Sequence, residues 1–361
     1  MPRKARILLA VTFILVGAAV FFYPKLNGLY SQRKAEQTLS SVGQLQATRG
    51  ETVPSMPRQT VPAGEDAATT PAAVSDGDGS ATTPATVPSE PSEMELLYQE
   101  LVEYNQRIWE EGQQNLRDPF SYQTPAIDLT AYGFTENVIG ALWIPRMEVE
   151  LPVYLGATGK NMAQGAAVLG ETSLPVSGEN TNVVIAGHRG YGGAAMFRDI
   201  QLLQIGDKIT LTTPWEKLVY RVCLLEIIYP DDSDAILIQP GRQLLTLLTC
   251  HPYTQNYQRY MVVAERSDEP AEQTRQEELE EAARTFDDKP RAVRLREENG
   301  ESSVIQVEPK GIRMGDAEES ETGAAYSNLQ IVLEKYAPPV VLTLLGLLLA
   351  VMLLRKRRKK Q

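Results

Sequence analysis

The segment LLTLLTCHPYTQNYQRYMVVAER, residues 244–266, consists of two apolar runs separated by a short polar stretch. Apolar runs of this length, bounded by turn-forming residues, are typical of β-strands. Cys250 ends the first run, and Arg259 opens the second run nine positions later. A cysteine reacts as its thiolate, which a neighbouring positive charge stabilises. The segment therefore predicts two strands joined by a turn, across which a nucleophilic thiol and a guanidinium meet.

The base that would serve this thiol must be one of only two histidines in the chain. His251 follows Cys250 directly, and successive side chains of a strand point to opposite faces, although a turn at Pro252 would relax this. His188 ends another apolar run, NVVIAGH at residues 182–188, and a glycine-rich loop follows it. Loops held by a rigid strand commonly carry reactive side chains. We therefore expect His188 to be the partner of Cys250.

These motifs resemble those of the class C sortases. TLLTC at residues 246–250 matches the TLxTC signature of the sortase family, and CHPYTQNYQR at residues 250–259 matches the class C pattern C-x-P-Y-x-x-N-x-x-R. The resemblance covers residues 104–266 and includes the run that ends at His188, which is similar to the strand bearing the sortase histidine. It implies catalytic roles for His188, Cys250 and Arg259.

A second resemblance lies upstream, in RDPF at residues 117–120. This stretch is similar to the Asp-Pro-aromatic lid of the class C sortases, in which the acid approaches the catalytic arginine and the ring covers the cysteine. The resemblance implies that Asp118 lies beside Arg259 and that Phe120 covers the cleft. Asp-Pro is also an ordinary turn signal. The class C motif downstream favours the lid.

The region from residue 138 to residue 266 contains short apolar runs separated by turn-forming residues, which favours a mainly β barrel or sandwich. The resemblance implies an eight-stranded sortase-type β-barrel with added N-terminal helices. We expect helical structure within residues 93–111, packed outside the barrel, and a short helix at residues 197–204. The predicted strands are residues 141–145, 149–155, 182–186, 208–213, 218–228, 243–249 and 260–264.

The resemblance also implies a reaction, namely acyl transfer by a cysteine transpeptidase. Cys250 would attack an LPxTG-like sorting signal to form a thioester, and Arg259 with backbone amides would stabilise the oxyanion. His188 would protonate the leaving amine and then activate the incoming one. Class C membership implies a pilin lysine as acceptor, and hence pilus assembly. Attachment of proteins to cell-wall peptidoglycan, hydrolysis by a membrane-tethered cysteine peptidase, and an inactive pilus scaffold are the alternatives.

Two uncharged apolar segments, residues 7–23 and 338–354, are long enough to cross a bilayer as helices. Basic residues precede the first segment and follow the second, so the positive-inside rule predicts cytoplasmic tails at residues 1–6 and 355–361. This two-pass arrangement places the catalytic domain outside the cell. Small residues in the first segment would also permit a cleaved signal peptide, but the aromatic residues that follow favour an uncleaved anchor.

The remaining segments are predicted to connect the membrane to the barrel. Residues 24–92 are expected to be a flexible extracellular stalk, because most of this segment is rich in Thr, Pro, Ala and Ser and poor in large apolar residues. Residues 93–137 hold the N-terminal helices and the lid. Residues 267–337 are expected to be a charged helix and linker, in which residues 297–322 resemble a disordered segment. The net charge of −11 disfavours nucleic-acid binding.

The second cysteine, Cys223, lies in the apolar run KLVYRVCLLEII at residues 217–228, outside any of the motifs. We therefore expect it to be a thiol packed in the core. A disulfide between Cys223 and Cys250 would be permitted in an exported protein, but it would remove the nucleophile. With two histidines and two cysteines, neither a metal site nor a cofactor is expected.

Overall fold

The structure is a computed structural model, which describes residues 33–40, 92–113, 116, 124–134, 136–191, 194–253, 255–269, 273–297 and 299–309. Both predicted membrane segments, both predicted tails and the predicted lid residues Asp118 and Phe120 lie outside the described residues. Within the predicted stalk, residues 33–40 form a helix, α1, whose Lys34 pairs with Glu136 at 3.6 Å. Among the described residues, no helix is both long enough and apolar enough to cross a membrane.

The barrel is formed by strands that the sequence largely predicts. The strands are β1 (Val138–Ile144), β2 (Val149–Leu155), β3 (Ala166–Val168), β4 (Thr181–Ala186), β5 (Lys208–Thr212), β6 (Lys217–Ile228), β7 (Gln243–His251), β8 (Gln258–Arg266), β9 (Arg291–Arg296) and β10 (Ser302–Val307). The sheet order is β10-β9-β6-β5-β1-β2-β3-β4-β7-β8, and an additional pairing of β6 with β8 closes the ring from β1 to β8. Neighbouring strands are antiparallel except for the pairs β2–β3, β4–β7 and β6–β9. The predicted eight-stranded barrel is confirmed.

Two local predictions differ from the structure. The strand β3 was not predicted, because its three residues, AAV, are too few and too small to signal a strand; the short helix α3 (Gly159–Gln164) connects it to β2. The helix expected at residues 197–204 is wrong, since only a 3-10 turn, Ile200–Leu202, is found there. The backbone N–H of Phe197 instead donates to the carbonyl of His188 at 3.0 Å, which ties this segment to the loop after β4.

The predicted N-terminal helix is α2, Glu93–Glu111. It begins with a capping box, in which the Ser92 side chain and the Glu95 side chain each accept from the other residue's backbone N–H. Asn105 attaches the helix to the barrel domain, because its side chain donates to the carbonyl of Leu174 at 3.0 Å and accepts from the same residue's N–H at 2.7 Å. The buried apolar side of α2, which packs into the main core, consists of Leu97, Leu101, Tyr104 and Ile108.

Alternate side chains of the barrel strands form two apolar clusters. One cluster contains residues of all eight barrel strands, among them Leu245 and Leu247 of β7, and fills the barrel interior. The other cluster lies on the outer face of β4, β7 and β8 and includes Leu244 and Leu248. Because side chains alternate along a strand, Cys250 shares the outer face with Leu244 and Leu248.

The chain downstream of the barrel continues as α4 (Arg275–Arg284) and the β9–β10 hairpin. The helix lies in the part that was predicted to be helical. The expectation of disorder at residues 297–322 is wrong for β10, and the expectation of an unstructured linker is wrong for β9. Pairing explains the difference, because β9 bonds to β10 on one side and runs parallel to β6 on the other. Such long-range hydrogen bonds are invisible to composition.

The helix α4 docks on the outside of the barrel through a buried carboxylate. Glu278 accepts a hydrogen bond from the Trp143 indole Nε1 at 2.7 Å and pairs with the Lys208 ammonium at 2.8 Å. The Arg275 guanidinium lies 3.9 Å from the centre of the Trp143 ring. The barrel therefore carries a structured extension beyond residue 266, where the sequence predicted a solvated helix.

Candidate active site

The position of Cys250 is set by the two strands beside β7. In the antiparallel pair β7–β8, Cys250 lies directly opposite Arg259, and directly paired residues share one face of a sheet. On the other side, β4 runs parallel to β7 with Ala186 level with Leu248. The Gly187 N–H donates to the Leu248 carbonyl at 3.1 Å, which continues this pairing beyond β4.

The same register carries His188 to the level of Cys250, two residues after the Ala186–Leu248 pair. The Thr249 hydroxyl donates to the carbonyl of Gly187 at 2.7 Å and holds the two chains together at this point. His188, two residues beyond the end of β4, thus lies level with Cys250 of β7 and Arg259 of β8 on the outer face of the sheet. The structure brings together the three residues that the sequence predicted, and we call them the outer row.

The guanidinium of Arg259 is fixed by the turn between β7 and β8. Arg259 is buried, and its Nη1 donates to the carbonyls of Asn256 and Gln258, each at 2.9 Å. Asn256 takes a left-handed backbone conformation, with φ of 63°, which asparagine tolerates better than most residues. The turn therefore orients a permanent positive charge beside the thiol.

The imidazole of His188 is half-buried and stacks on the Tyr191 ring, with 4.7 Å between the ring centres and 16° between the planes. Burial lowers the pKa of His188 below its ordinary value, because a desolvated imidazole disfavours the charged form. The backbone before it is crowded as well, since a Cβ on Gly187 would lie 2.7 Å from the Phe197 ring. Only glycine fits at position 187, so the close packing against the Phe197 ring fixes the backbone just before His188.

Beneath the outer row, on the interior side of the barrel, the structure places a second row that the sequence did not predict. His251 points away from the Cys250 thiol, as expected from strand alternation, and its Nδ1 lies 2.7 Å from Nη1 of Arg189. Nη1 of Arg189 also donates to the Cys250 carbonyl at 3.3 Å, and Nη2 donates to the Gln201 side chain. The Tyr260 ring lies 5.7 Å from the His251 ring. We call Arg189, His251 and Tyr260 the inner row.

Burial shifts the pKa values of His251 and Tyr260 in the inner row in opposite directions. Burial, followed by the nearby charge of Arg189, lowers the pKa of His251 to about 3, so its imidazole is neutral under ordinary conditions. Burial raises the pKa of Tyr260 to about 12. Arg189 was within reach of sequence reasoning, because it directly follows His188 and must face the other side of the sheet. Its partners Gln201 and Tyr260 had no motif to indicate them.

The predicted lid residues, Asp118 and Phe120, lie outside the described residues, but the chain just before them is anchored near the outer cluster. The Gln113 side chain donates to the Glu171 carbonyl at 2.9 Å and accepts from the Ile238 N–H at 2.6 Å. Leu116 packs against the outer cluster, to which Leu248 belongs. Leu116, the last described residue before residue 124, therefore packs on the face that carries Cys250.

The prediction for Cys223 is wrong, because its thiol is exposed and not packed in the core. A β-bulge in the pairing of β6 with β8, between Val222 and Leu224, interrupts the alternation of side chains at this residue. Its Sγ lies 3.6 Å from Nη2 of Arg242. Cys223 and Cys250 are both free thiols, so no disulfide joins them. Within the described parts of the chain, no group of three or more acidic, histidine or cysteine side chains is arranged for a metal ion.

The closed barrel with its outer row of histidine, cysteine and arginine defines a candidate thiol-dependent site, and the comparisons with known proteins agree. Residues 142–267 match the family model described as Sortase domain. These residues therefore carry a sortase domain, as the sequence motifs predicted.

Individual relatives are similar over the same region. The chain is 33% identical to Sortase A of Bacillus anthracis over 130 residues, which are 36% of this chain and 60% of that protein. It is 28% identical to Sortase D of Bacillus subtilis (strain 168) over 120 residues, covering 33% of this chain and 58% of that protein. The chain thus spans less than two thirds of the length of these curated relatives. A solved structure of Streptococcus agalactiae sortase C1 is 29% identical, with a TM-score of 0.47 and coverage of 52% of this chain and 95% of that chain.

Proposed function

We propose that this protein is a class C sortase, a membrane-anchored cysteine transpeptidase that joins LPxTG-like sorting signals to an amine, namely a pilin lysine in pilus assembly. The observation that carries the proposal is the register of β4, β7 and β8, which sets His188, Cys250 and Arg259 level on one face. The class rests on the sequence pattern from residue 250 to residue 259 and on the Asp-Pro-Phe stretch at residues 118–120.

In the first half of the reaction, the Cys250 thiolate attacks the carbonyl carbon of the peptide bond after threonine. The new C–S bond places negative charge on the carbonyl oxygen, which Arg259 and backbone amides stabilise. When this intermediate collapses, the C–N bond breaks and the leaving amine takes a proton from His188. The product is a thioester between the sorting signal and Cys250.

In the second half, an amine resolves the thioester. His188 accepts a proton from the incoming amine, whose nitrogen attacks the thioester carbon and releases the Cys250 thiolate. The lowered pKa of His188 favours this step at neutral pH, because most of the imidazole is then unprotonated. The buried Arg259 keeps its place in both halves, since its head is held by the carbonyls of Asn256 and Gln258.

The proposed location is the cell membrane, with residues 7–23 and 338–354 spanning the bilayer and both termini in the cytoplasm. The barrel then faces the exterior, where surface proteins and pilins carry sorting signals. Asp118 and Phe120 would close the cleft in the absence of substrate, with the carboxylate turned toward Arg259. Neither a cofactor nor a metal enters any of these steps.

The test uses the full-length protein in detergent micelles, an LPxTG peptide and a pilin with an accessible lysine. Mass spectrometry is expected to find a Cys250 thioester and then a threonine-to-lysine amide, both absent from Cys250→Ala and both retained by Cys223→Ala. A double change of Asp118 and Phe120 to alanine is expected to increase both products. Release of a free threonine carboxylate alone would instead indicate a hydrolytic peptidase. A parallel reaction offers a peptidoglycan amine, and transfer only to that amine would indicate a cell-wall anchoring enzyme.

A further inference from the structure

We propose that Arg189 is a positioning residue for the nucleophile: from inside the barrel it holds the Cys250 main chain and favours the thiolate with an unneutralised charge. This inference rests on the proposed function, because it assigns a role within the same site. It concerns a residue on the face opposite to the predicted catalytic side chains.

The contacts of Arg189 join three segments of the fold beneath Cys250. Its Nη1 donates to the Cys250 carbonyl at 3.3 Å and to Nδ1 of His251 at 2.7 Å. Its Nη2 donates to the side-chain oxygen of Gln201, in the 3-10 turn Ile200–Leu202. An arginine has no acceptor, so Nδ1 of His251 must accept, and the proton of the neutral imidazole must be on Nε2. The guanidinium thus fixes the end of β7.

The second argument is charge. Arg189 is only 5% exposed, and the groups that its head contacts are neutral: a carbonyl, an imidazole, an amide and, at 6.0 Å, the Tyr260 ring. Within the described parts of the chain, no carboxylate forms an ion pair with it, and the nearby Asp199 pairs with Arg198 at 3.0 Å. Burial lowers the pKa of Arg189 to about 10, which leaves the guanidinium charged at neutral pH.

A buried cation without a bonded carboxylate is costly to the fold, which makes a purely structural role a poor explanation. The charge lies close to Cys250 in a medium of low dielectric, where it stabilises negative charge on the sulfur more strongly than a solvated cation would. The titratable and charged groups around this thiol come from several elements: His188 after β4, Arg259 on β8, and Arg189, His251 and Tyr260 beneath. Among these groups, substitution of Arg189 is the change that removes a positive charge from the interior side of the Cys250 thiol.

The experiment measures alkylation of Cys250 by iodoacetamide from pH 5 to pH 10 in the full-length protein, in a Cys223→Ser background. Alkylation follows the thiolate fraction, so its midpoint reports the pKa of Cys250 without any peptide substrate. Arg189→Gln is expected to raise the midpoint by about one pH unit, which slows alkylation about tenfold below the midpoint. Arg189→Lys is expected to stay near the parent protein. Arg242→Gln is the control, because Arg242 already pairs with Glu265 at 2.7 Å.

A second variant separates charge from structure and covers the case in which Arg189→Gln does not fold. Gln201→Glu replaces the side-chain amide with a carboxylate. The carboxylate keeps the contact with Nη2 and places a negative charge against Arg189. If the charge acts on Cys250, Gln201→Glu raises the alkylation midpoint as well; if Arg189 only supports the fold, the midpoint is unchanged. An unchanged midpoint in Gln201→Glu or in folded Arg189→Gln would overturn the proposal. Because alkylation needs no sorting signal, failure here is distinct from failure of transpeptidation.

Discussion

The two faces of the sheet at the level of Cys250 differ in chemistry although the same three pairs of consecutive residues form both. The pairs are His188-Arg189, Cys250-His251 and Arg259-Tyr260. The first member of each pair belongs to the outer row and the second to the inner row, because side chains alternate along extended chain. The same three short segments of backbone thus present a nucleophile with its partners on one face and a buried support on the other.

Each row holds buried and half-buried side chains, since Arg259 is buried and His251 is half-buried, and the two rows differ in which groups a substrate can reach. On the outer face, His188 and Cys250 are half-buried and within reach of a substrate. On the inner face, Arg189 and Tyr260 are buried, and their groups contact only protein. We therefore expect changes in the outer row to act on activity, and changes in the inner row to act on stability and on the pKa of the thiol.

The largest effect is expected from Cys250→Ala. Without the thiol no thioester forms, and the rate of amine transfer should fall roughly 10³-fold or more, as when a catalytic nucleophile is removed. The measurement is the rate of amide formation from an LPxTG peptide, with thermal unfolding as a check on the fold. Cys223→Ala is the matched control and should leave the rate unchanged, because Cys223 lies exposed on β6.

Next is Arg259→Lys, which keeps the charge but loses the planar head. Nη1 bonds two carbonyls at once, and an ammonium on a flexible stem cannot reproduce that arrangement. The value of kcat should fall about 10²-fold with little change in KM, the pattern expected for lost oxyanion stabilisation. Steady-state kinetics test this, with Arg242→Lys as control. A change in KM alone would mean that Arg259 binds substrate and does not act on the transition state.

For the inner row, stability should depend on the protonation of His251. Its folded pKa of about 3 lies below the ordinary value near 6.5, so the unfolded chain binds a proton more readily. Its contribution to stability is therefore present above about pH 6.5 and is lost as pH falls toward 3, at up to about 2 kcal/mol between pH 6.5 and pH 5. Urea unfolding of the parent protein and His251→Gln at pH 7 and pH 5 measures the difference. An equal loss of unfolding free energy between pH 7 and pH 5 in both proteins would contradict the assignment of this pH dependence to His251.

A smaller effect is expected from Tyr191, which covers the His188 ring on the outer face. Tyr191→Ala exposes the imidazole to water, so the pKa of His188 should rise toward its ordinary value. Because His188 accepts the proton of the incoming amine in the second half of the reaction, the acid limb of the pH–rate profile for resolution of the thioester should move to higher pH. Tyr191→Phe keeps the stacked ring and should leave the profile in place. A shift of the same size in both variants would assign the effect to the hydroxyl.

The smallest effect concerns the hydroxyl of Tyr260, on the inner face. This group is buried and has no hydrogen-bond partner within the part of the chain that the structure describes. Removing it should not destabilise the fold, and Tyr260→Phe is expected to change the free energy of unfolding by less than about 0.5 kcal/mol. Tyr260→Ala, which removes a fully buried ring, should cost about 3 to 5 kcal/mol. A large loss in Tyr260→Phe would reveal a partner for the hydroxyl.

Much of the fold could be predicted because its signals are local. The apolar runs and turns marked seven of the eight barrel strands, and the helix expected within residues 93–111 is α2. β9 and β10 were missed, because the arginines of β9 and the charged residues that flank β10 resemble a solvated linker until β9 pairs with β6. Cys223 was misplaced because a bulge changed the face of a side chain, and no residue type announces a bulge of this kind.

The sequence by itself determined the sortase domain, the candidate residues His188, Cys250 and Arg259, and the alternation that turns His251 away from the thiol. These follow from contiguous motifs and from the two-residue period of a strand, which need no tertiary information. Only the tertiary structure decided which face of β7 is interior, which residues surround Arg189, and where the chain after residue 266 docks. Those outcomes depend on barrel closure by β6 and β8, and on contacts between residues far apart in the chain, whose free energy has no local signature.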